Sequence, residues 1–110
     1  MSVTQTFTVT VANPGAGNRY YIDGVLQDTV TLIEGKTYRF DQSDSSNSSH
    51  PLRFSTTSDG THGGGSEYTT GVTTNGTPGQ SGAYTEITVA SSAPTLYYYC
   101  TNHSGMGGQA

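Results

Sequence analysis

The stretch LYYYCTNHSGMGG, at residues 96–108, decides more of the fold than any other part of this 110-residue sequence. Successive side chains of a β-strand point to opposite faces, so Leu96, Tyr98 and Cys100 share one face. We expect that face to point into the core and the two intervening tyrosines to pack on the other side. The polar and glycine residues after Cys100 predict a short loop at the end of this last strand.

The loop also concentrates residues that bind metal ions. The only cysteine, one of three histidines and one of two methionines occur here, as Cys100, His103 and Met106. Thiolate, imidazole and thioether together suit copper better than other common metals. Their spacing lets one tight loop bring all three to a single ion, but a mononuclear site of this kind needs a second imidazole.

Strand parity selects His50 as that second imidazole. A strand predicted over residues 50–55 points Leu52 and Phe54 inward, and His50 falls on the same face by the two-residue period. The imidazole therefore lies at a strand end and faces the interior, as Cys100 does. His62 lies in a Thr-His-Gly-Gly-Gly segment and is predicted to be part of a solvent-facing loop.

The rest of the chain reads as short strands joined by turns. No apolar residues recur at helical spacing, so no helix is expected. Asp23-Gly24 is a hairpin turn signal, residues 43–49 read as a polar loop without a core residue, and residues 56–82 as a long irregular segment. Strands are predicted over residues 3–12, 19–22, 29–33, 37–41, 50–55, 67–72, 84–89 and 96–100. Seven or eight such strands predict a single all-β domain over residues 1–110, a Greek-key antiparallel β-sandwich or barrel.

Composition excludes several classes of function. The formal net charge is −4 with only four Lys and Arg, too few for a basic patch that binds nucleic acid. No apolar run reaches the length needed to insert into a membrane, and no basic-then-apolar leader is present. The chain could be cytoplasmic, a mature segment or part of something larger. A lone cysteine excludes an internal disulfide.

A strand ending in Cys100, the C-x2-H-x2-M loop and an earlier strand-end His together resemble the cupredoxin family of type 1 copper proteins, over essentially the whole chain. The short loop is most similar to that of the amicyanin subgroup. The resemblance implies one copper ion per chain, with His50, Cys100 and His103 as equatorial ligands and Met106 as a weak axial ligand. It also implies a one-electron carrier and not an enzyme. The redox partner is not identified.

The sequence departs from the family pattern at two places. Family members commonly carry Asn directly after the first ligand His, where its side chain ties the two ligand loops together, and here Pro51 occupies that position. Thr101 is expected to donate to a loop carbonyl, and Asn47 or Ser49 to replace the tie. The ligand loop also lacks the proline that short-loop members usually have, which predicts a less rigid site.

Two alternatives remain open. Zinc would bind one Cys and two His well, with water as the fourth ligand, although it has no need of a thioether. The second alternative is a copper- or zinc-binding structural or interaction module without an electron-transfer role. Residues 95–108 are similar to cupredoxin-like segments of marine phage structural proteins, which implies a virion-associated or extracellular setting, or a periplasmic one for a carrier. Multicopper oxidase motifs, which pair His-x-His with a His-Cys-His run, are absent.

Overall fold

The structure is a computed structural model that describes residues 2–110, so Met1 of the predicted 1–110 domain lies outside the described residues. Residues 2–110 form ten short strands and two 3₁₀ turns, at Ser45–Asn47 and Gly60–Gly63. The strands are β1 Gln5–Ala12, β2 Arg19–Ile22, β3 Val25–Leu26, β4 Thr37–Asp41, β5 Leu52–Ser55, β6 Glu67–Tyr68, β7 Val72–Asn75, β8 Tyr84–Thr88, β9 Tyr97–Cys100 and β10 Gly108–Gln109.

The strands form two sheets that enclose one core. The six-stranded sheet has the order β3-β2-β1-β4-β8-β7, and the four-stranded sheet has the order β10-β9-β5-β6. Phe40 of the first sheet contacts Phe54 and Tyr98 of the second, with ring centroids 5.3 and 6.4 Å apart. The predicted all-β class is therefore confirmed, and the fold is a two-layer, sandwich-like arrangement.

The sequence predicted an antiparallel arrangement, but one pair of neighbouring strands is parallel. β1 and β4 run parallel, with Phe7 opposite Phe40, whereas the other pairs of neighbouring strands are antiparallel. Both phenylalanines still face the core, and their rings lie 5.0 Å apart. Side-chain alternation identifies the buried face of a strand but does not determine the direction of its neighbour.

The predicted strand over residues 29–33 is wrong. Val30 is buried, but its N–H donates to the carbonyl of Gln109, and the N–H of Ile33 donates to the hydroxyl of Tyr38. Isolated hydrogen bonds of this kind do not form a ladder. The strand that follows β2 is instead β3, because Asp23 and Gly24 both adopt positive φ and close a tight hairpin.

Two loop predictions also need correction. Residues 43–49 do contribute to the core, because the side chain of Asn47 is fully buried. The predicted strand 67–72 is two strands in different sheets, since β6 pairs with β5 and β7 pairs with β8. The sequence missed β10, which returns beside β9 directly after the Cys100 loop. No helix within residues 2–110 has the length and apolar character needed to cross a membrane.

Candidate metal centre

Three of the four predicted ligands converge at one end of the four-stranded sheet. Cys100 ends β9 and lies opposite Leu52 in the β5–β9 ladder. His50 is two residues before Leu52 and therefore points to the same side, where it is 8% exposed. The ligand atoms of His50, Cys100 and His103 all lie within 4.8 Å of one another. The prediction from parity that the side chains of His50 and Cys100 face the interior is therefore confirmed.

The distances within this group fit a shared ion. The Sγ atom of Cys100 is 3.7 Å from Nδ1 of His50 and 3.7 Å from Nδ1 of His103. With bonds of about 2.3 Å to sulfur and about 2.0 Å to nitrogen, a 3.7 Å separation corresponds to an angle of about 120° at the metal. That angle lies within the range between trigonal and tetrahedral coordination.

Hydrogen bonding alone explains this arrangement less well. A thiol carries one proton and can donate it to only one imidazole nitrogen. The other imidazole would have to donate to the same sulfur, which is a weak acceptor. Cys100 is fully buried and His50 nearly so, whereas His103 is exposed. A metal ion would satisfy all three side chains at once.

The fourth predicted ligand, Met106, lies in the same core as Cys100. Its side chain is fully buried, although glycines flank it on both sides. The backbone carbonyl of Met106 accepts a hydrogen bond of 2.9 Å from the N–H of Tyr20, which fixes the residue against β2. Its burial excludes the simplest alternative, a solvent-facing methionine.

Buried polar side chains hold the segment that carries His50, residues 42–51, which we call the His50 loop. The carbonyl of His50 accepts two hydrogen bonds, 2.6 Å from the Tyr20 hydroxyl and 2.7 Å from the Gln42 amide. Gln42 also donates to Asn47 and accepts from the N–H of Leu52. Asn47 in turn donates to the carbonyl of Val9 in β1. The loop is therefore fixed from the protein interior.

Burial also controls the protonation of two groups here. The pKa of His50 is lowered, first because burial disfavours the charged imidazole and second because His103 lies close by. The neutral imidazole that metal ligation requires is thereby favoured. The pKa of Tyr20 is raised well above its usual value, chiefly by burial and then by the nearby Cys100. The Tyr20 hydroxyl therefore remains a hydrogen-bond donor to His50.

Surface contacts hold the other ligand segment, residues 101–107, which we call the Cys100 loop. The amide of Asn102 donates to the carbonyl of Ser49 across 3.0 Å, and this bond ties the two ligand loops together. Ser49 thus takes part through its backbone, whereas Asn47 bonds elsewhere. The backbone N–H of Thr101 donates to the carbonyl of Pro51, in agreement with the expected donation to a loop carbonyl.

Sequence reasoning missed two further supports of the Cys100 loop. The amide of Gln27 donates to the carbonyls of Gly105 and Gly107, at 2.9 and 2.8 Å. The carboxylate of Asp59 accepts from the N–H of Gly105 at 3.0 Å. Both partners are far away in sequence and carry no local signal. They stiffen a loop that lacks a proline.

His62 is exposed, as predicted, but it contacts the backbone of the candidate site. Its Nε2 lies 2.8 Å from the carbonyl oxygen of Cys100, and its ring contacts the edge of Tyr99. The 3₁₀ turn at Gly60–Gly63 places it there, and Gly60 packs directly on the Tyr99 ring. His62 is therefore a neighbour of the candidate ligand Cys100 and does not belong to the ligand group.

The geometry shows a His, Cys, His group, largely buried, that could hold a metal ion. In comparisons with known proteins, no protein-family model, curated protein or solved structure matches the chain.

Proposed function

We propose that this chain is a cupredoxin-like protein that binds one copper ion in a mononuclear type 1 centre and carries single electrons. The observation that carries the proposal is the placement of two imidazole Nδ1 atoms, each 3.7 Å from one buried thiol sulfur. One thiolate and two imidazoles with a weak thioether are the donor set of blue-copper electron-transfer sites. The fold supports it, because two β-sheets present these residues at one end of a shared core.

Met106 completes the proposed donor set. Met106 is buried in the same core cluster as Cys100 although glycines flank it, as we expect for a side chain that packs on the site. Zinc would use water as its fourth ligand and would have no use for this side chain. The burial of Met106 therefore favours copper over zinc.

The protein's own groups would serve electron transfer in separate ways. Copper, when bound, supplies the Cu(I)/Cu(II) couple. Full burial of Cys100 keeps water away from the thiolate, and the buried bonds to His50 hold its imidazole in one place. His103 is exposed and is the ligand through which a redox partner would make contact. We propose that the chain is a carrier and not an enzyme.

The test is the visible spectrum of the apo protein after addition of Cu(II). We expect an intense thiolate-to-copper band that is absent in Cys100→Ser. Ser104→Ala is the matched control, because it alters a neighbouring loop residue that is not a proposed ligand, and it should keep the band. A colourless protein that takes up zinc in preference to copper would overturn the proposal.

The axial role of Met106 has its own test. Reversible one-electron voltammetry should give a lower reduction potential for Met106→Gln than for the parent protein, because an amide oxygen favours Cu(II) more than a thioether does. An unchanged potential would remove Met106 from the ligand set.

The second candidate function is a metal-stabilised structural module of a larger virion or extracellular assembly. One observation favours it: the edge strand β3 exposes Val25 and Leu26, at 51% and 45% of their surface. Exposed apolar edge strands commonly pair with another chain. Copper that binds with a type 1 spectrum but shows no reversible electron exchange would favour this module over a carrier.

A further inference from the structure

An open polar groove of about 530 Å³ runs beside the exposed face of His103. Two segments form its walls, residues 16–19 before and at the start of β2, and residues 102–105 of the Cys100 loop. Small-molecule sites commonly have volumes of about 300–1,000 Å³. Of the described residues, Arg19 is the one charged residue that lines the groove.

Arg19 is held over the ligand loop by backbone contacts. Its guanidinium donates to the carbonyls of Asn18 and Ala16, at 2.9 and 3.1 Å, which uses two of its five N–H donors. A Cβ atom at Gly17 would lie 3.1 Å from Nη1, and one at Gly105 would lie 3.6 Å from it. Glycine at both positions lets the guanidinium approach the two walls of the groove closely.

Arg19 also differs from the other cationic side chains. Among residues 2–110, Arg39 pairs with Glu86 and Arg53 pairs with Glu67, whereas Arg19 and Lys36 form no salt bridge. Lys36 precedes β4, and the His50 loop follows β4, so Lys36 lies at the opposite end of the fold. Arg19 is therefore the one cation at the metal end, in the described chain, whose charge has no carboxylate partner.

The other residues that line the groove are suited to a polar ligand. Asn102 uses one amide hydrogen on Ser49, and Ser104 offers an exposed hydroxyl. The carboxylate of Asp59 accepts from the N–H of Gly105 but lines a separate pocket. No acidic residue lines the groove itself, so a negatively charged guest would meet Arg19 without direct opposition.

We propose that this groove binds a small organic anion whose carboxylate or phosphate oxygens accept hydrogen bonds from Arg19. The guest lies along Asn102 and Ser104 against the imidazole of His103. Guanidinium presents a planar fork that matches such oxyanions better than an ammonium group does. The site goes beyond the proposed copper centre, since Arg19, Asn102 and Ser104 are not proposed metal ligands. A bound anion would cover the exposed edge of His103 and compete with a redox partner for it.

The test is an NMR titration of the full, metal-free chain with succinate and, separately, with inorganic phosphate, against chloride at equal ionic strength. We expect saturable amide shifts confined to residues 16–19 and 102–105, with the Arg19 Nε–H signal among them. Arg19→Gln should weaken binding about tenfold or more, because it removes charge-assisted hydrogen bonds. The affinity of Arg19→Lys should fall between that of the parent protein and that of Arg19→Gln. Whichever of succinate and phosphate binds more tightly identifies the preferred oxyanion.

Lys36→Gln is the matched control, because it removes the same charge at the far end of the fold, and it should leave binding unchanged. Ser104→Asp tests the groove without altering Arg19 or its carbonyl contacts, and it should abolish binding. Shifts that stay linear with concentration, or an equal loss in Lys36→Gln, would show general charge screening with Arg19 acting only as a loop tie. That result would overturn the site but leave the copper proposal intact, because no metal is present in the titration.

Discussion

The two ligand loops are fixed in opposite ways. The His50 loop is held from within by Gln42 and Asn47, whose side chains are at most 1% exposed and which bond to backbone groups of both sheets. The Cys100 loop buries only Met106 and is otherwise held from outside, by the side chains of Gln27, Asp59 and Asn102. One imidazole thus belongs to the core and the other to a surface loop.

This difference predicts how each loop responds to damage. A buried donor or acceptor that loses its partner retains the full cost of desolvation, whereas an exposed one can bond to water. Changes at the His50 loop should therefore lower the stability of the whole domain. Changes at the Cys100 loop should mainly raise local opening and weaken metal binding, since local unfolding draws on the least buried contacts.

The largest effect is expected for Gln42→Leu. Leucine has a similar size but removes the hydrogen bonds to Asn47 and Leu52, and leaves both groups buried without partners. We expect the free energy of unfolding of the metal-free protein to fall by about 3 kcal/mol, measured by urea denaturation. Gln80→Leu, an exposed glutamine in a turn, is the control and should change it by less than about 0.5 kcal/mol. A loss below about 1 kcal/mol in Gln42→Leu would mean that the interior bonds do not hold the loop.

The next effect tests a buried support on the Cys100 side, the contact of Gly60 with the Tyr99 ring. Gly60 has φ +53°, and a Cβ atom there would lie 2.5 Å from ring carbons of Tyr99. Gly60→Ala must displace either the ring or the 3₁₀ turn that carries His62. Gly64 also has positive φ but has open space around it, so Gly64→Ala isolates backbone strain from the clash.

We expect Gly60→Ala to destabilise the protein by about 2 kcal/mol more than Gly64→Ala does. Thermal or urea unfolding of both variants measures the difference. Equal losses would show that the turn yields freely and that Tyr99 gives the Cys100 loop no buried support.

Sequence patterns identified the candidate ligands because each signal was local. Period-two alternation places His50 with Leu52 and Cys100 with Tyr98, and spacing alone brings His103 beside Cys100. The supports of the loops were invisible, because Gln27 lies 78 residues from Gly105 and Asn47 lies 38 from Val9. A polar residue shows no periodic pattern that separates a buried hydrogen-bonding role from a solvated one.

The fold, like the candidate site, was predicted only in part. The buried faces of β5 and β9 followed from alternation, and the all-β class followed from the number of short strands. The parallel pairing of β1 with β4 did not follow, because alternation is the same for either direction. Residues 29–33 alternate well enough for a strand. However, within the described chain β2 already pairs with β3 on one side and β1 on the other, so it has no free edge for them.

Gln27→Met tests the Cys100 loop through metal affinity as well as through stability. Methionine keeps the length of the side chain but cannot donate to the carbonyls of Gly105 and Gly107. We expect unfolding to lose only about 1 kcal/mol. Copper affinity, measured by competition with a chelator that reports the visible band, should fall about tenfold, as for other residues that orient metal ligands. Gln80→Met is the control for both measurements. A large loss of stability with unchanged affinity would reverse the distinction between the loops.

The smallest effect on stability is expected for His62→Phe. Phenylalanine keeps a ring against Tyr99 but removes the nitrogen that lies 2.8 Å from the Cys100 carbonyl. His62 is exposed, so water can take over that carbonyl, and the free energy of unfolding should change by less than about 0.5 kcal/mol. Local opening should still increase, because one of the contacts on the strand end is gone. Hydrogen exchange at the N–H of Thr101, which bonds to Pro51, should therefore be faster while exchange at Leu52 stays the same. Faster exchange at both amides would mean that the two loops open together. The two loops would then differ in exposure but not in how independently they open.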